Sequence, residues 1–487
     1  AEDGIRDLVR SRGLGDVYKR QEYRRDRVGW FLGLTGWQAG VVAASVLPPL
    51  WAVHTQRWAA LLALTVLAGV VVAVAVVPIR GRSAAGWLTA VVLVGVGGAL
   101  GWTRWRSRAA RGQVRDLNEV DLPGILRGVT VHDGPPWGPA MRRVAVIQHH
   151  PSRSWAVTAA VVHPGIGLSE AADRDRQGAA LGELLEMASR TEVIEEVLVM
   201  VRTVPEDGAA RELYLERHRR PGGPVLARVV NDELAGALGS ASVRTEGFVT
   251  VVVPEARLGR RARRAGGGVD ARARELASVM GEVEAHLRGG LGMTSVAWLT
   301  SPELAVACRT GFAPGDAAAL TAAGGATGDP DVGGEPLVPW ALAGPTGAGA
   351  AVRHYAHDAW RSASVTVSLP ARGAVMGALA PVLTPNDPGE RRCVLIGYPI
   401  LRAGQADRQS ANAEWAADLG EGLRSRLGVR VRARQRQDLE RAAGLDRKLS
   451  RGHSLTRPYA VATVTVPAAR PIEPYARGLE AAVRRAG

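Results

Sequence analysis

"RGRSAAGWLTAVVLVGVGGALGWTRWRSRAA", Arg80 to Ala110, decides how the chain is organised. Its uncharged run from Ala84 to Gly101 is followed by Arg104, Arg106, Arg108 and Arg111. Two longer uncharged runs precede it, Gly33 to Val53 and Trp58 to Ile79. Each is long enough, as a helix, to cross a hydrocarbon layer of roughly 30 Å. "HTQR", His54 to Arg57, reads as a tight turn between them, so the pair forms a helical hairpin. Arg24, Arg25 and Arg27 lie before the hairpin and Arg80 and Arg82 after it, against Arg57 in the turn. The positive-inside rule therefore puts both outer flanks in the cytoplasm.

A crossing third run would carry four arginines outside, and Gly86, Gly95, Gly97, Gly98 and Gly101 thin its apolar surface. The preferred reading is two spans, then a helix lying in or dipping into the leaflet; a third span is the alternative. The expected location is the cell membrane, multi-pass, with the large domain cytoplasmic. Trp30, Trp37, Trp51, Trp58, Trp87, Trp102 and Trp105 sit near segment ends, as interface anchors do. Arg104, Arg106, Arg108 and Arg111 are expected to face anionic head groups.

The net charge of +14 suggests a polyanionic partner such as nucleic acid, but its distribution argues otherwise. Ten arginines and two acids fall between residues 22 and 111, whereas the 376 residues beyond carry only +5. The excess follows the apolar runs, so sequence-specific nucleic-acid binding is not expected. Arginine outnumbers lysine 59 to 2, a skew that a GC-rich genome produces without selection for arginine chemistry. Cys308 and Cys393 fit no metal or redox spacing and read as two reduced thiols. Ala1 to Gln21 has mixed charge and no apolar core, so it is not a signal peptide. It reads as an assembly scar, expected to be disordered. The chain stops after "LEAAVRRAG" within an expected helix, so both natural ends are expected to lie outside it.

From Leu122 the texture is α+β. "RRVAVIQHH" and "SWAVTAAVV" predict a hairpin, and Leu168 to Arg190 a helix burying Leu181, Leu184 and Leu185. "VIEEVLVMVRTVP" and "VRTEGFVTVVVP" predict strands, with helices expected at "GAARELYLERHRR" and "PVLARVVNDELAGAL" between them. "EARLGRRARRAGGG" holds the densest basic patch, Arg257, Arg260, Arg261, Arg263 and Arg264, read as a solvated loop or a surface for lipid or a partner. A helix from Val269 to Leu287 follows, then a strand in "MTSVAWLTS". "SPELAVACRT" is a short helix with Ser301 as N-cap and Pro302 first inside it.

Gly- and Pro-rich residues 315–344 read as a linker. Beyond it, "SASVTVSLP", "RRCVLIGYPI" and "RPYAVATVTVP" predict strands, and "NAEWAADLGEGLRSRLG", "ARQRQDLERAAGLDRKLSRG" and "IEPYARGLEAAVRRA" helices. The expected organisation is a scar at 1–21, a transmembrane hairpin at 22–83 and an interfacial or third transmembrane helix at 84–111. Two related α+β units of the ferredoxin-like kind follow, at 112–314 and 345–487.

No Gly-x-x-x-x-Gly-Lys-Ser/Thr occurs, and the stretch Gly324 to Gly334 has no lysine and follows a helix, so a phosphate cradle is not expected. Gly-x-Ser-x-Gly is missing. His149-His150 and His354, His357 and Asp358 are the only groupings that suggest metal ligands, and zinc needs three or four convergent donors. Glu195-Glu196 and Glu183/Glu186 read as solvated acids. No catalytic, cofactor or metal residues are expected, and the chain is not expected to be an enzyme. A membrane-bound enzyme of unknown reaction stays as an alternative. Sensor or transporter readings fare worse, because the two spans hold no charged residue.

"YRRDRVGWFLGLTGWQAG", "VPIRGRSAAGWLTAVV", "RRARRAGGG", "WLTSPELAVACRTGFAPG" and "RQRQDLERAAGLDRKLSRGHSLTRPYAVATVTV" occur in this order over most of residues 22–470. In that order the chain resembles actinobacterial membrane proteins encoded beside conjugation or secretion ATPases. These join a PrgI-like two-span module to a domain similar to the non-motor amino-terminal part of conjugation motor ATPases. The third run departs from the family, where its counterpart is studded with arginine. The resemblance implies a non-catalytic structural or coupling component of a type IV (conjugative) secretion-like machine. Its implied partners are membrane lipid, a cytoplasmic secretion or conjugation ATPase and other envelope components, with no cofactor. The EccE-like component of type VII secretion shares the coarse architecture and is the second resemblance.

Overall fold

The computed structural model describes residues 36–79, 82–101, 104–165, 169–205, 214–215, 218, 222–239, 243–264, 266–326, 337–349, 354–367, 377–387, 389–401, 456 and 458–486. The chain divides into two compact units. One comprises Arg24–Arg104 and Gly404–Gly452, the other Ala1–Tyr23, Trp105–Ala403 and His453–Gly487.

The described part of the first unit is an apolar helical hairpin with a third helix. Helix α1 (Gly36–His54) returns as α2 (Trp58–Val76). Hydrogen bonds from Thr55 N–H to the Trp51 carbonyl and from Arg57 N–H to the Ala52 carbonyl close the turn. Gln56 has φ +53° there. Gln38 Nε2 donates to the Ala75 carbonyl at 2.7 Å and ties the open ends together. Val77 leaves the helix with extended backbone. Strands β1 (Pro78–Ile79) and β2 (Arg82–Ser83) then pair antiparallel before helix α3 (Ala84–Ala99).

These boundaries correct the multi-pass expectation. Among the described residues only α2 is long and apolar enough to cross a membrane. The apolar stretch of α1, Gly40–His54, is too short to count as a span, and α3 has 16 residues. At 1.5 Å per residue, α3 is about 24 Å long, short of the roughly 30 Å required. The sequence run Ala84–Gly101 was longer because Leu100 and Gly101 leave the helix in a turn, Gly101 with φ +74°. The multi-pass location, with its cytoplasmic assignment of the large domain, is withdrawn.

The second unit is mixed helix and sheet, built on one antiparallel sheet. Its strands are β3 (Trp105–Arg106), β4 (Val129–Trp137), β5 (Arg142–His149), β6 (Ser154–Val162), β7 (Glu196–Pro205), β8 (Val243–Pro254), β9 (Ser295–Trp298), β10 (Gly347–Gly349), β11 (Tyr355–His357), β12 (Trp360–Val367), β13 (Arg391–Pro399) and β14 (Tyr459–Pro467). Their order is β3-β10-β11-β12-β14-β13-β7-β8-β6-β5-β4, and β9 also pairs with β6. Strands β5 and β9 share one edge of β6, at Ile147↔Ala156 and Ala160↔Ala297. Residues from the two expected units meet where β13 pairs with β7, from Cys393↔Arg202 to Pro399↔Glu196.

Helices cover both faces of the central strands. Alternation sends Trp155, Val157 and Ala159 of β6 and Val249, Val251 and Val253 of β8 to one face, in the same core cluster as Leu184, Leu185 and Ala188 of α4 (Ala171–Arg190). Leu276, Val279, Met280, Val283 and Leu287 of α7 (Gly268–Gly289) complete this cluster. On the other face Ala145 and Phe248 meet Leu304 and Ala305 of α8 (Ser301–Phe312) and Trp340 of α10 (Trp340–Ala343). Burial on both faces explains the nearly continuous apolar runs of the central strands. A further core joins Ala460, Ala462, Val464 and Val466 of β14 to Val382 of α11 (Ala380–Leu383) and Leu479 of α12 (Glu473–Ala486).

Several local readings change. "EARLGRRARR" is helix α6 (Glu255–Arg264), because Leu258 and Ala262, four residues apart, both reach the core. The N-cap of α8 is Thr300, one residue before the expected Ser301. Glu303 closes a capping box, its carboxylate accepting the Thr300 N–H at 2.9 Å. Strand β4 was not expected, and its register shifts between Asp133 and Pro136, where prolines cannot donate to a ladder. The described part of "RHYAHDAW", from His354, carries the β11–β12 hairpin rather than a helix or polar loop. The described ends of 315–344 are helices, α9 (Ala317–Ala326) and α10, and Trp340 is buried. The helices expected at Asn412–Gly428 and Ala433–Gly452 lie outside the described residues, as does Ala1 to Gln21.

Candidate functional site

The basic patch of α6 splits into two sets. Arg257 Nη1 donates to the Glu192 carbonyl at 2.5 Å and the Ile194 carbonyl at 3.2 Å, and Arg261 Nη2 to the Thr191 carbonyl at 3.1 Å. These bonds fasten the helix to the chain leaving α4. With Leu258 and Ala262 turned inward, Arg260, Arg263 and Arg264 are left exposed on the outer surface. Glu255, the acid of this helix, pairs with Arg272 at 3.5 Å. Gly266, Gly267 and Gly268 follow with φ of +92°, +75° and +82°. Three successive residues in this region require glycine, and they turn the chain sharply into α7.

The residues expected at a membrane interface are distributed differently. Trp58 is 70% exposed at the start of α2, and Trp51 is exposed with the Arg57 guanidinium 5.6 Å from its ring centroid. Trp37 and Trp87 lie on α1 and α3, whereas Trp30 and Trp102 lie outside the described residues. Arg104 and Arg106 are exposed. Trp105 and Arg106 form edge strand β3, paired with Ala348 and Gly347. Arg108 is occupied within the sheet unit, with Glu119 at 2.6 Å and Asp121 at 3.6 Å. Those acids raise its pKa further. Arg111 is exposed and donates to the Arg106 carbonyl at 2.6 Å.

A polar junction that the sequence did not announce lies where β7, β8, β13 and α8 meet. Arg202 of β7, 5% exposed, donates to Glu246 at 2.7 Å, the Ala307 carbonyl at 3.0 Å and Thr310 Oγ1 at 2.9 Å. Arg391 of β13 donates to the Thr310 and Gly311 carbonyls. The Arg391 guanidinium thus satisfies two carbonyls at the negative end of α8, and Arg202 holds the turn before it. Burial, reinforced by Arg202, lowers the Arg391 pKa to about 10. On the opposite face Arg392 and Glu390, both 1% exposed, pair at 2.7 Å. Glu390 also accepts the Asn386 N–H at 2.7 Å. The only sequence signal was a charge inside an apolar strand, as in "VLVMVRTVP", where a buried position must carry its partners with it.

The suspected ligand groupings do not converge. His149 Nε2 meets the Ile125 carbonyl at 2.9 Å, and His150 meets Thr130 Oγ1 at 2.7 Å. His357 is buried against Ser362 Oγ at 2.7 Å, while Asp358 accepts from the Thr346 N–H at 2.6 Å. Among the described residues no group of three or more His, Cys, Asp or Glu is placed to hold a metal ion. A shallow cavity of about 410 Å³ lies beside α7, lined by Trp137, Gly138, Gly281, Glu284, Ala285 and Arg288. Its carboxylate already accepts from Trp298 Nε1 at 3.0 Å and Arg288 Nε at 2.8 Å. The chain matches no model of a known protein family, and no curated protein matches it significantly.

Proposed function

We propose that this protein is a membrane-anchored, non-catalytic coupling component of a conjugative or type IV-like secretion machine, with the sheet unit as its docking body for an ATPase. The observation that carries the anchoring is α2. Only 6% of its most apolar window is buried, and Leu62, Val66, Leu67 and Val70 are more than half exposed. Leaving such a row in water is unfavourable by about 25 cal/mol per Å² of apolar surface, which a bilayer relieves. Its 19 residues match the hydrocarbon thickness.

The coupling role rests on the ordered motifs that resemble the PrgI-like and motor-ATPase amino-terminal proteins. The buried charges of the sheet unit are engaged in holding its elements together, which suits a rigid docking body. The alternation of strands and helices in the chain supports reading the sheet as two related ferredoxin-like units, one around β6, β7 and β8, the other around β12, β13 and β14.

Two measurements test this. Alkaline carbonate extraction of membranes should leave the full chain in the pellet, and Val66→Arg with Val70→Arg should release it. Photo-crosslinking from the sheet unit in the native host should then capture a secretion or conjugation ATPase. A chain extracted as a soluble monomer, crosslinked to no membrane complex, would refute the proposal.

A further inference from the structure

We infer that the outer face of α6 is a docking surface for the phosphate groups of anionic lipids. The inference rests on the reading of α2 as an anchor, which brings the chain to a bilayer. Arg260, Arg263 and Arg264 stand at i, i+3 and i+4, neighbouring positions on one helical face. All three are exposed, and none forms an ion pair among the described residues. Like charges at this spacing oppose the helix, and an external anion that bridges them relieves the repulsion. The helix dipole favours basic residues in a last turn, which accounts for Arg263 and Arg264 but not for Arg260 one turn earlier.

The rotation of the helix is fixed. Leu258 and Ala262 are buried, and Arg257 and Arg261 are held on the carbonyls of Thr191, Glu192 and Ile194. The three outer guanidiniums are therefore presented together. The chemistry of the face selects the partner. Beside its arginines α6 exposes Ala256, with no aromatic or large apolar side chain. A folded protein partner needs an apolar or aromatic centre to its interface, and single-stranded nucleic acid needs stacking platforms. A dense phosphate surface needs only guanidiniums, which bind phosphate oxygens in pairs.

The test uses the full chain in lipid nanodiscs of phosphatidylcholine alone or with a third of phosphatidylglycerol, read by hydrogen exchange of α6 amides. Phosphatidylglycerol should slow exchange across residues 255–264. The triple variant Arg260→Gln, Arg263→Gln, Arg264→Gln should abolish that difference while remaining incorporated. Each arginine near an anionic surface is worth about fivefold in affinity. The variant should therefore bind phosphatidylglycerol vesicles, added to detergent-solubilised protein, about a hundredfold more weakly.

Equal exchange in both nanodiscs overturns the inference and leaves the anchor reading intact. A chain that enters neither nanodisc refutes the anchor, and vesicle binding then decides α6 by itself. Protection by inorganic phosphate at millimolar concentration, without any preference between the lipids, would assign the face to free phosphate. Protection by RNA, again without lipid preference, would assign it to nucleic acid. Either result overturns the lipid assignment.

Discussion

The Arg391 guanidinium donates from Nη1 to the Thr310 carbonyl at 2.6 Å, binding the middle of the sheet to the last turn of α8. The same group reaches the Gly311 carbonyl, and Arg202 reaches Ala307 and Thr310 Oγ1 from the neighbouring strand. A helix end whose carbonyls would otherwise be buried without donors is thereby satisfied from the sheet.

Arg391→Met should destabilise the sheet unit by about 3 kcal/mol, since two charge-assisted hydrogen bonds are lost and two carbonyls left without them. Urea unfolding should show a lower midpoint with an unchanged slope. A loss under 1 kcal/mol would mean that water satisfies this helix end.

Glu390→Gln should cost about 3–5 kcal/mol, because it strands the buried Arg392 charge. Glu390→Gln with Arg392→Met should be closer to wild type than the single variant. A double variant as unstable as the sum of its parts would show that packing, not charge pairing, decides the site.

Burial lowers the pKa of His357, and Arg391 lowers it further, against the opposing pull of Asp358 and the Phe312 backbone. The folded state therefore favours the neutral ring. Below about pH 6.5 the unfolded chain binds the extra proton first. His357 thus contributes stability above that pH which is lost as pH falls through its folded pKa. His357→Gln should flatten the stability profile between pH 7 and pH 5; an unchanged slope would assign the acid response to other groups.

Thr300→Ala should cost about 1 kcal/mol through the capping box. Ser301→Ala should cost a similar amount by a different route, since Ser301 Oγ accepts the Trp340 indole N–H at 2.8 Å. In a Trp340→Phe background only the Thr300 change should still be felt. Equal effects of both there would restore Ser301 as the cap.

Burial pushes the Cys308 thiol up to about 11 and raises that of Cys393. Both are free. Neither should react appreciably with a disulfide reagent at pH 8 until the chain is unfolded, when two equivalents should titrate. Fast native labelling would place a thiol at the surface.

Strand, helix and hairpin identities were legible wherever period and length agreed. "SWAVTAAVV" and "PYAVATVTV" could be little but buried strands, and the 22-residue α7 carries its apolar face at helical spacing. The α6 helix was not legible, because arginines fill so much of its ten residues that only Leu258 and Ala262 mark the buried side. The prolines of β4 hid a strand that tolerates them at the edge of the sheet.

By itself the sequence determined that the chain joins an apolar helical segment to an α+β region, and that its basic excess accompanies the former. These are properties of local composition and period, which act within a few turns of chain. Only the tertiary structure decided that the third apolar run stops at 16 residues and that one sheet takes in strands from residue 105 to residue 467. It also decided that Arg202 and Arg391 belong inside while Arg260, Arg263 and Arg264 belong outside. Arginine reads the same at every one of those positions. Its role is set by which carbonyls, hydroxyls and carboxylates the fold brings within 3 Å, and those partners lie up to 108 residues away.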